Sequence, residues 1–345
     1  EVVGRKWLVE AAIWCEWFHV GDCTTLVPCE VFTLDALQWA ELLPRRHVIA
    51  DIALEYAAQF CKRLASCTPP HAPWPDDLQV PFTGSSQIVA AMSSQAKEVI
   101  GLDALSDATT AHRLSEHQLE KLQKQVTCGQ CVLFLDESGS LKRVTSGVSM
   151  EIQRPSDGKF LVQLGKIKEG AVSAAVMLPR HKSEIAELPH ESAQRLARKK
   201  LGPIAPHLTL EAPIEEKEIK MSAVHGIHTE HVQLKFPAFM ASDCDIPPMF
   251  IYGQAQNTAD GLVSRVSSVK TREGIPECFL FPGESPNTNY CFAWLTAEEL
   301  AGLHGKQSEV TSWLERAHWQ SEVRRASTEQ DAPRLGLGAR EDGYP

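Results

Sequence analysis

The sequence predicts an α+β protein assembled in more than one part, and three observations carry that expectation. Apolar residues recur at 3.6-residue spacing over residues 49–64, alternation and short apolar runs set in after Val126, and a Pro-, Ser- and Gly-rich stretch over 68–86 lies between them. The chain has 345 residues, and at roughly 100–200 residues per domain two domains with linking segments are expected. Apolar and charged contents of 43% and 23% are those of a folded chain and exclude wholesale disorder. A net charge of −10 argues against broad binding to nucleic acid or anionic lipid. No apolar run reaches the roughly 18 residues that a membrane span needs, and no charged-then-apolar leader precedes a small-residue cleavage site. The chain opens on Glu1 inside a strongly patterned segment, so it reads as a piece or processed product of a longer protein. Its ten cysteines are scattered, several inside apolar runs, which favours a reducing, cytoplasmic setting over a disulfide scaffold. Cys128 and Cys131 form a lone CxxC without a second pair at zinc spacing and read as half-buried thiols at a strand entry.

The elements follow in order. Cys29 to Asp35 alternates as a strand would, and Asp35 with Gln38 has the pattern of a capping box opening a short helix that stops at Pro44. Ile49, Ile52, Ala53, Tyr56, Ala57, Phe60 and Leu64 line one face of a second helix that ends before Pro69-Pro70. Helical sequence then runs to about Gln125, with Ser115 and Gln118 as another capping signature. Val132–Leu135 is a buried strand, Phe160, Val162 and Leu164 alternate after an Asp157-Gly158 turn, and residues 174–178 form a further strand. A helix opens at Pro189, suited to the first helical position, and closes at Gly202. Val232, Leu234 and Phe236 mark another strand. Thr296 and Glu299 cap a helix, Val310 to about Arg325 forms one more, and Gln330–Pro345 is expected to be disordered.

Leu178-Pro179-Arg180-His181, followed by Glu187, Glu191, Arg195 and Gly202, resembles the Nudix box, Gly-x5-Glu-x7-Arg-Glu-U-x-Glu-Glu-x-Gly-U with U apolar. The register holds without a gap: Glu187 falls on the first acid, Arg195 on the arginine and Gly202 on the closing glycine. Phe292 to Leu300 is similar to the strand-to-helix segment that ends many such domains. The resemblance implies a mixed sheet flanked by helices over residues 126–310, in which glutamates on one helix face hold divalent metal on a diphosphate and activate water. Here the three later acid positions are Leu196, Lys199 and Lys200, and the box glycine is His181. Cations cannot serve as ligands, which points to loss of catalysis.

The start of the chain, Glu10-Ala-Ala-Ile-Trp-Cys-Glu-Trp-Phe-His19 and on through Asp35 to two helices, is similar to the second half of a cyclic-nucleotide-binding domain. The resemblance implies the trailing strands of a β-roll with lid helices over residues 1–66, with Glu10 taking the ribose 2′-hydroxyl. The phosphate arginine belongs at position 19, which is His19, and a neutral imidazole cannot replace a bidentate guanidinium. The Trp-rich segment looks like divergent domains on the cytoplasmic ends of protist, dinoflagellate-like channels and regulatory proteins.

His225, His228 and His231 are spaced by three, so on a strand two share a face and the third points away, which suits exposed histidines better than a metal site. Glu211 to Glu218 reads as a solvated acidic loop. No nucleophile elbow, phosphate loop or dinucleotide fingerprint occurs. The expected organisation is therefore a β-roll remnant over 1–66, a Pro-rich and helical linker over 67–125, a Nudix-like domain over 126–310, and a helix and tail over 311–345. The expected function is a non-catalytic regulatory or scaffolding segment of a larger cyclic-nucleotide-binding or channel-type protein. Glu10 and His19 would be remnants of one nucleotide site, and the Nudix-like part would bind a nucleoside diphosphate derivative or a protein partner without a cofactor. The rival expectation is a Mg²⁺-dependent Nudix pyrophosphohydrolase with ligands from Glu184, Glu187, Glu191 and the 215–218 segment.

Overall fold

The computed structural model describes residues 7–43, 47–107, 114–136, 138–202, 204–222, 224–241, 278–285 and 287–316. Gly4, Cys244 and the expected tail over 330–345 lie outside them. Ten strands form one mixed sheet: β1 Val132–Leu135, β2 Leu141–Gln153, β3 Phe160–Lys168, β4 Ala171–Met177, β5 Arg180–Lys182, β6 Leu208–Leu210, β7 Ile214–Met221, β8 His228–Met240, β9 Cys278–Pro282 and β10 Thr288–Leu295. The spine runs β6-β8-β2-β3-β10-β9. β2 and β8 pair in parallel from Lys142↔His228 to Gln153↔Phe239, and the other ladders are antiparallel.

Alternation divides the side chains between two layers. Leu161, Phe292 and Trp294 face one side, where they join Val148, Met150, Ile152, Leu234 and Phe236 beneath helix α7, Pro189–Leu201. Val162, Ala293 and Leu295 face the other, against Leu303, Val310 and Leu314. Those three belong to α8 Ala297–Leu303 and α9 Gln307–Arg316. α7, Pro189–Leu201, places Ala193, Leu196, Ala197 and Leu201 in the first core. Helices thus flank a mixed sheet, as the α+β expectation requires. No helix among the described residues is long and apolar enough to cross a membrane.

The amino-terminal part differs from expectation. α1 Ala11–Trp14, α2 Ala36–Leu42 and α3 His47–Ser66 form, and Asp35 caps α2 by accepting from Leu37 N and Gln38 N at 2.9 and 3.1 Å. The strand expected over Cys29–Asp35 does not form, and among the described residues no β-roll is present. A strand needs a partner to satisfy its backbone, and residues 16–35 have no ladder, so their alternating apolar side chains stay in solvent, Phe32 being 94% exposed. Tyr56, Phe60 and Leu64 of α3 pack inward as their spacing predicts, whereas Ile49 remains exposed.

The stretch read as a linker carries α4 Ser85–Ala91, α5 Ser94–Asp107 and α6 Glu116–Thr127, and all three pack on the sheet. Val89, Met92 and Ala96 meet Val132, while Leu122 and Val126 meet Leu133 and Leu141. Ser115 and Thr296 make the full capping boxes their spacing predicts. The acidic segment read as a loop is instead β7, an edge strand held by β8 with every residue exposed.

Candidate functional site

β5, the loop 183–188 and α7 bring the box residues together. Gly147 of β2 permits the approach of β5, because a Cβ there would stand 2.7 Å from the His181 carbonyl oxygen. Ala186 holds a left-handed φ of 55° in the loop, a conformation that costs a non-glycine residue about 1–2 kcal/mol. Its N–H donates to the Ala91 carbonyl at 2.7 Å, and Lys62 of α3 donates to its carbonyl. The amino-terminal helices therefore fix the shape of this loop.

Arg195 is the hub. Its Nε and Nη2 donate to the two oxygens of Glu187 at 2.6 and 2.7 Å, and Nη2 also donates to the Lys182 carbonyl at 2.8 Å. Nη1 lies 3.0 Å from Glu184 Oε1. It is also 3.2 and 3.3 Å from both ring nitrogens of His181, which places the guanidinium over the ring. Burial and the neighbouring Arg195 lower the His181 pKa, which keeps the ring neutral. The Arg195 and Glu187 side chains are only 9% and 10% exposed. The bond to Glu187 raises the Arg195 pKa against its own desolvation. Burial pushes the Glu187 carboxyl up, but the Arg195 bond and the Glu184 N–H together outweigh it and hold the acid below its usual range. Glu191 caps the helix, accepting from Leu188 N at 2.8 Å, and lies 3.4 Å from Lys62 Nζ.

The sign of the resulting pH dependence follows from the depressed Glu187. Its stabilisation is complete above the usual glutamate value of 4.5 and is lost as pH falls through the lower folded-state value. Glu187→Gln is thus expected to be less stable than the parent at pH 7, with the gap closing in acid. Urea midpoints of the two proteins between about pH 7 and 3 check this; a gap independent of pH counts against the assignment.

The three remaining box positions do other work. Leu196 is 0% exposed in the core beneath α7. Lys199 pairs with Glu284 at 3.5 Å and Glu184 at 3.8 Å. Lys200 donates to Gln163 Oε1 at 3.0 Å and to the Arg180 carbonyl at 2.7 Å, and sits 5.0 Å from the centre of the Tyr290 ring. Burial, then the charges of Arg180 and Lys166, push its pKa down to about 8. Gly202 follows the last turn of α7.

A Mg²⁺ ion does not fit this donor set. Both Glu187 oxygens are engaged by Arg195, Glu191 serves the helix cap, and two ammonium groups occupy the ligand positions. Among the described residues no group of three or more His, Cys, Asp or Glu side chains is placed to hold a metal. Glu215, Glu216 and Glu218 pair with Lys217, Lys235 and Lys220 on β7 and β8 and form ion pairs there. Of the three histidines read as exposed, only His228 is; His225 is buried in the turn before β8 and His231 is half-buried.

His19 is drawn to Asp77, which spacing along the chain could not reveal, while Glu10 turns to Trp14. Asp77 accepts from Trp17 Nε1 at 2.6 Å and from Val20 N at 2.9 Å, and lies 3.5 Å from His19 Nδ1. Glu10 accepts from Trp14 Nε1 at 3.4 Å, and burial raises its pKa. Glu10 lines a cavity of about 230 Å³ together with Asp76, Asp77, Glu215 and Lys217. Four carboxylates against one ammonium give that cavity the wrong sign for a cyclic phosphate.

No family model matches the chain, and no curated protein matches it by sequence. Among solved structures it is similar to the C. elegans Ap4A hydrolase, at 13% identity over 50% of this chain and 95% of that one, with a TM-score of 0.23. It is also similar to RenU, a Nudix hydrolase from M. smegmatis, at 16% identity over 32% of this chain and 71% of that one, with a TM-score of 0.19. These scores are too low to assign function, which is read from the loop, the helix and their side chains.

Proposed function

We propose that residues 126–310 form a Nudix-like module that binds a nucleoside diphosphate derivative without hydrolysing it and serves a regulatory or scaffolding role. The observation that carries this reading is the fate of the box acids: Leu196 belongs to the core, and Lys199 and Lys200 are engaged by side chains and carbonyls of the fold. A divalent cation placed there would meet like charges at a cost of about a kcal/mol or more each. Glu187 and Arg195 keep the loop-and-helix geometry, and Lys199 and Lys200 offer cations where a diphosphate would otherwise need metal. The cyclic-nucleotide and channel readings of residues 1–66 are not carried forward, because the Glu10 cavity is lined by carboxylates.

Calorimetric titration of the full chain with ADP-ribose and related nucleoside diphosphate derivatives tests the proposal, with and without Mg²⁺ and with product analysis of the same samples. Binding heat without turnover, indifferent to Mg²⁺, is expected. Turnover that requires Mg²⁺ and disappears in Glu187→Gln would replace this reading with a hydrolase, and an absence of heat would remove the ligand.

A further inference from the structure

The sheet face opposite α7 carries a second group of polar residues, centred on Arg143. Val148, Met150 and Ile152 of β2 turn toward α7, so Arg143 and Thr145, of opposite parity, turn away from it. The ladders set Arg143 beside Thr229, Thr145 beside His231, and Lys220 of β7 on the far side of Thr229. Gln125 of α6 ties the group to the turn before β8. Arg143 Nε donates to Gln125 Oε1 at 3.1 Å, and the Gln125 amide nitrogen lies 3.3 Å from His225 Nε2. Since the Gln125 oxygen serves Arg143, its nitrogen must donate to His225, which puts the imidazole proton on Nδ1.

Among the described residues that Nδ1–H has no partner, although His225 is only 4% exposed, and neither does the hydroxyl of Thr229, which is 2% exposed. Arg143 has no carboxylate partner among the described residues. A buried donor without an acceptor is destabilising, so two of them beside the Arg143 guanidinium leave one thing missing. We propose that this face binds a phosphoryl group, as inorganic phosphate or a phosphate monoester, held by Arg143, the His225 Nδ1–H and the Thr229 hydroxyl with His231 alongside.

A tetrahedral oxyanion suits donors that arrive from a guanidinium, an imidazole and a hydroxyl, whereas a carboxylate offers only two oxygens. The local potential has the required sign despite the acidic chain. His225 is depressed by burial, then by the charges of Arg143 and Lys121. His231 is depressed by burial, then by Arg143, with Lys220 and Arg180 adding to it. Glu218 faces His231 from β7, but Lys220 holds it at 2.7 Å and its side chain is 60% exposed at the rim. The site lies on the opposite side of the sheet from α7 and is independent of the function proposed above.

The test is a titration of the full chain with inorganic phosphate, AMP and acetate, read by calorimetry and by the ligand-dependent rise in Tm. Phosphate binding is expected, with little or none for acetate; tighter binding of AMP identifies a monoester as the ligand, and equal binding identifies free phosphate. Arg143→Gln is expected to weaken phosphate about tenfold or more. Thr229→Val is expected to weaken it about three- to tenfold while leaving the Tm of the free protein unchanged or higher, since the lost hydroxyl had no partner. Equal binding of acetate, no binding of phosphate, or unchanged affinity in both variants would overturn the proposal.

Discussion

Arg195→Ala is expected to lower the stability of the chain by about 3–5 kcal/mol, the range for removing one partner of a buried ion pair. The substitution deletes both bonds to Glu187, the bond to the Lys182 carbonyl and the charge facing Glu184. The larger consequence is what stays behind: Glu187 remains beneath the loop without its cation, and a buried carboxylate without a partner is what such variants lose stability to. Glu187→Ala should cost a similar amount by stranding the guanidinium. The double variant Glu187→Met with Arg195→Met should cost clearly less than the sum of the single changes, because the two sites share one interaction and an apolar pair carries no desolvation penalty. Urea denaturation of the four proteins measures this. An Arg195→Ala loss below about 1 kcal/mol, the scale of exposed pairs, would mean that the loop does not depend on the pair.

Glu187 and Arg195 were marked through the resemblance to the Nudix box, a motif local enough to span one loop and two helical turns, though the resemblance did not name them as an ion pair. The same locality made Asp35, Ser115 and Thr296 readable, since a capping side chain bonds backbone within three residues of itself. What escaped was set by partners distant in sequence. Cys29 to Asp35 has a strand's alternation and no strand to pair with, while Ile214–Met221 lacks the alternation and becomes a strand because β8 supplies its hydrogen bonds. Charges on both faces disguised β7, and in the folded chain they are spent on Lys235 and on its own lysines. Lys62 on the box loop, Glu284 on Lys199 and Asp77 under Trp17 are equally invisible along the chain, as is the grouping of Arg143 with His225 and Thr229.

The second large effect concerns the attempt to restore the box. Leu196→Glu is expected to destabilise the protein by more than about 4 kcal/mol, whereas Lys199→Glu or Lys200→Glu alone should cost less. Leu196 is fully enclosed by Val148, Met150, Leu234, Phe236 and Trp294 among others. Replacement removes its packing, for which Leu→Ala changes set a scale of about 2–5 kcal/mol, and introduces an acid with no cation assigned to it. Burial would raise the pKa of that acid above its unfolded value, so the folded state would bind the proton more tightly. The defect should then deepen as pH rises past the unfolded value and ease in acid, the reverse of the Glu187 dependence. Leu196→Gln, which cannot ionise, separates the two contributions: it should be destabilised at every pH without the slope. Lys199 reaches the surface, where it pairs with the exposed Glu284, so an acid there can turn toward solvent; Lys200 bonds the buried Gln163, so its replacement should cost more than that of Lys199 but less than that of Leu196. Melting curves of the four variants at about pH 5 and pH 8 decide the matter. Should Leu196→Glu fold as stably as the parent, position 196 would be able to present an acid to solvent, and only the lysines would stand between this helix and a metal site. Should it melt far earlier, as expected, the absence of the metal site is built into the packing of the core, and changing the charge of the helix alone cannot undo it.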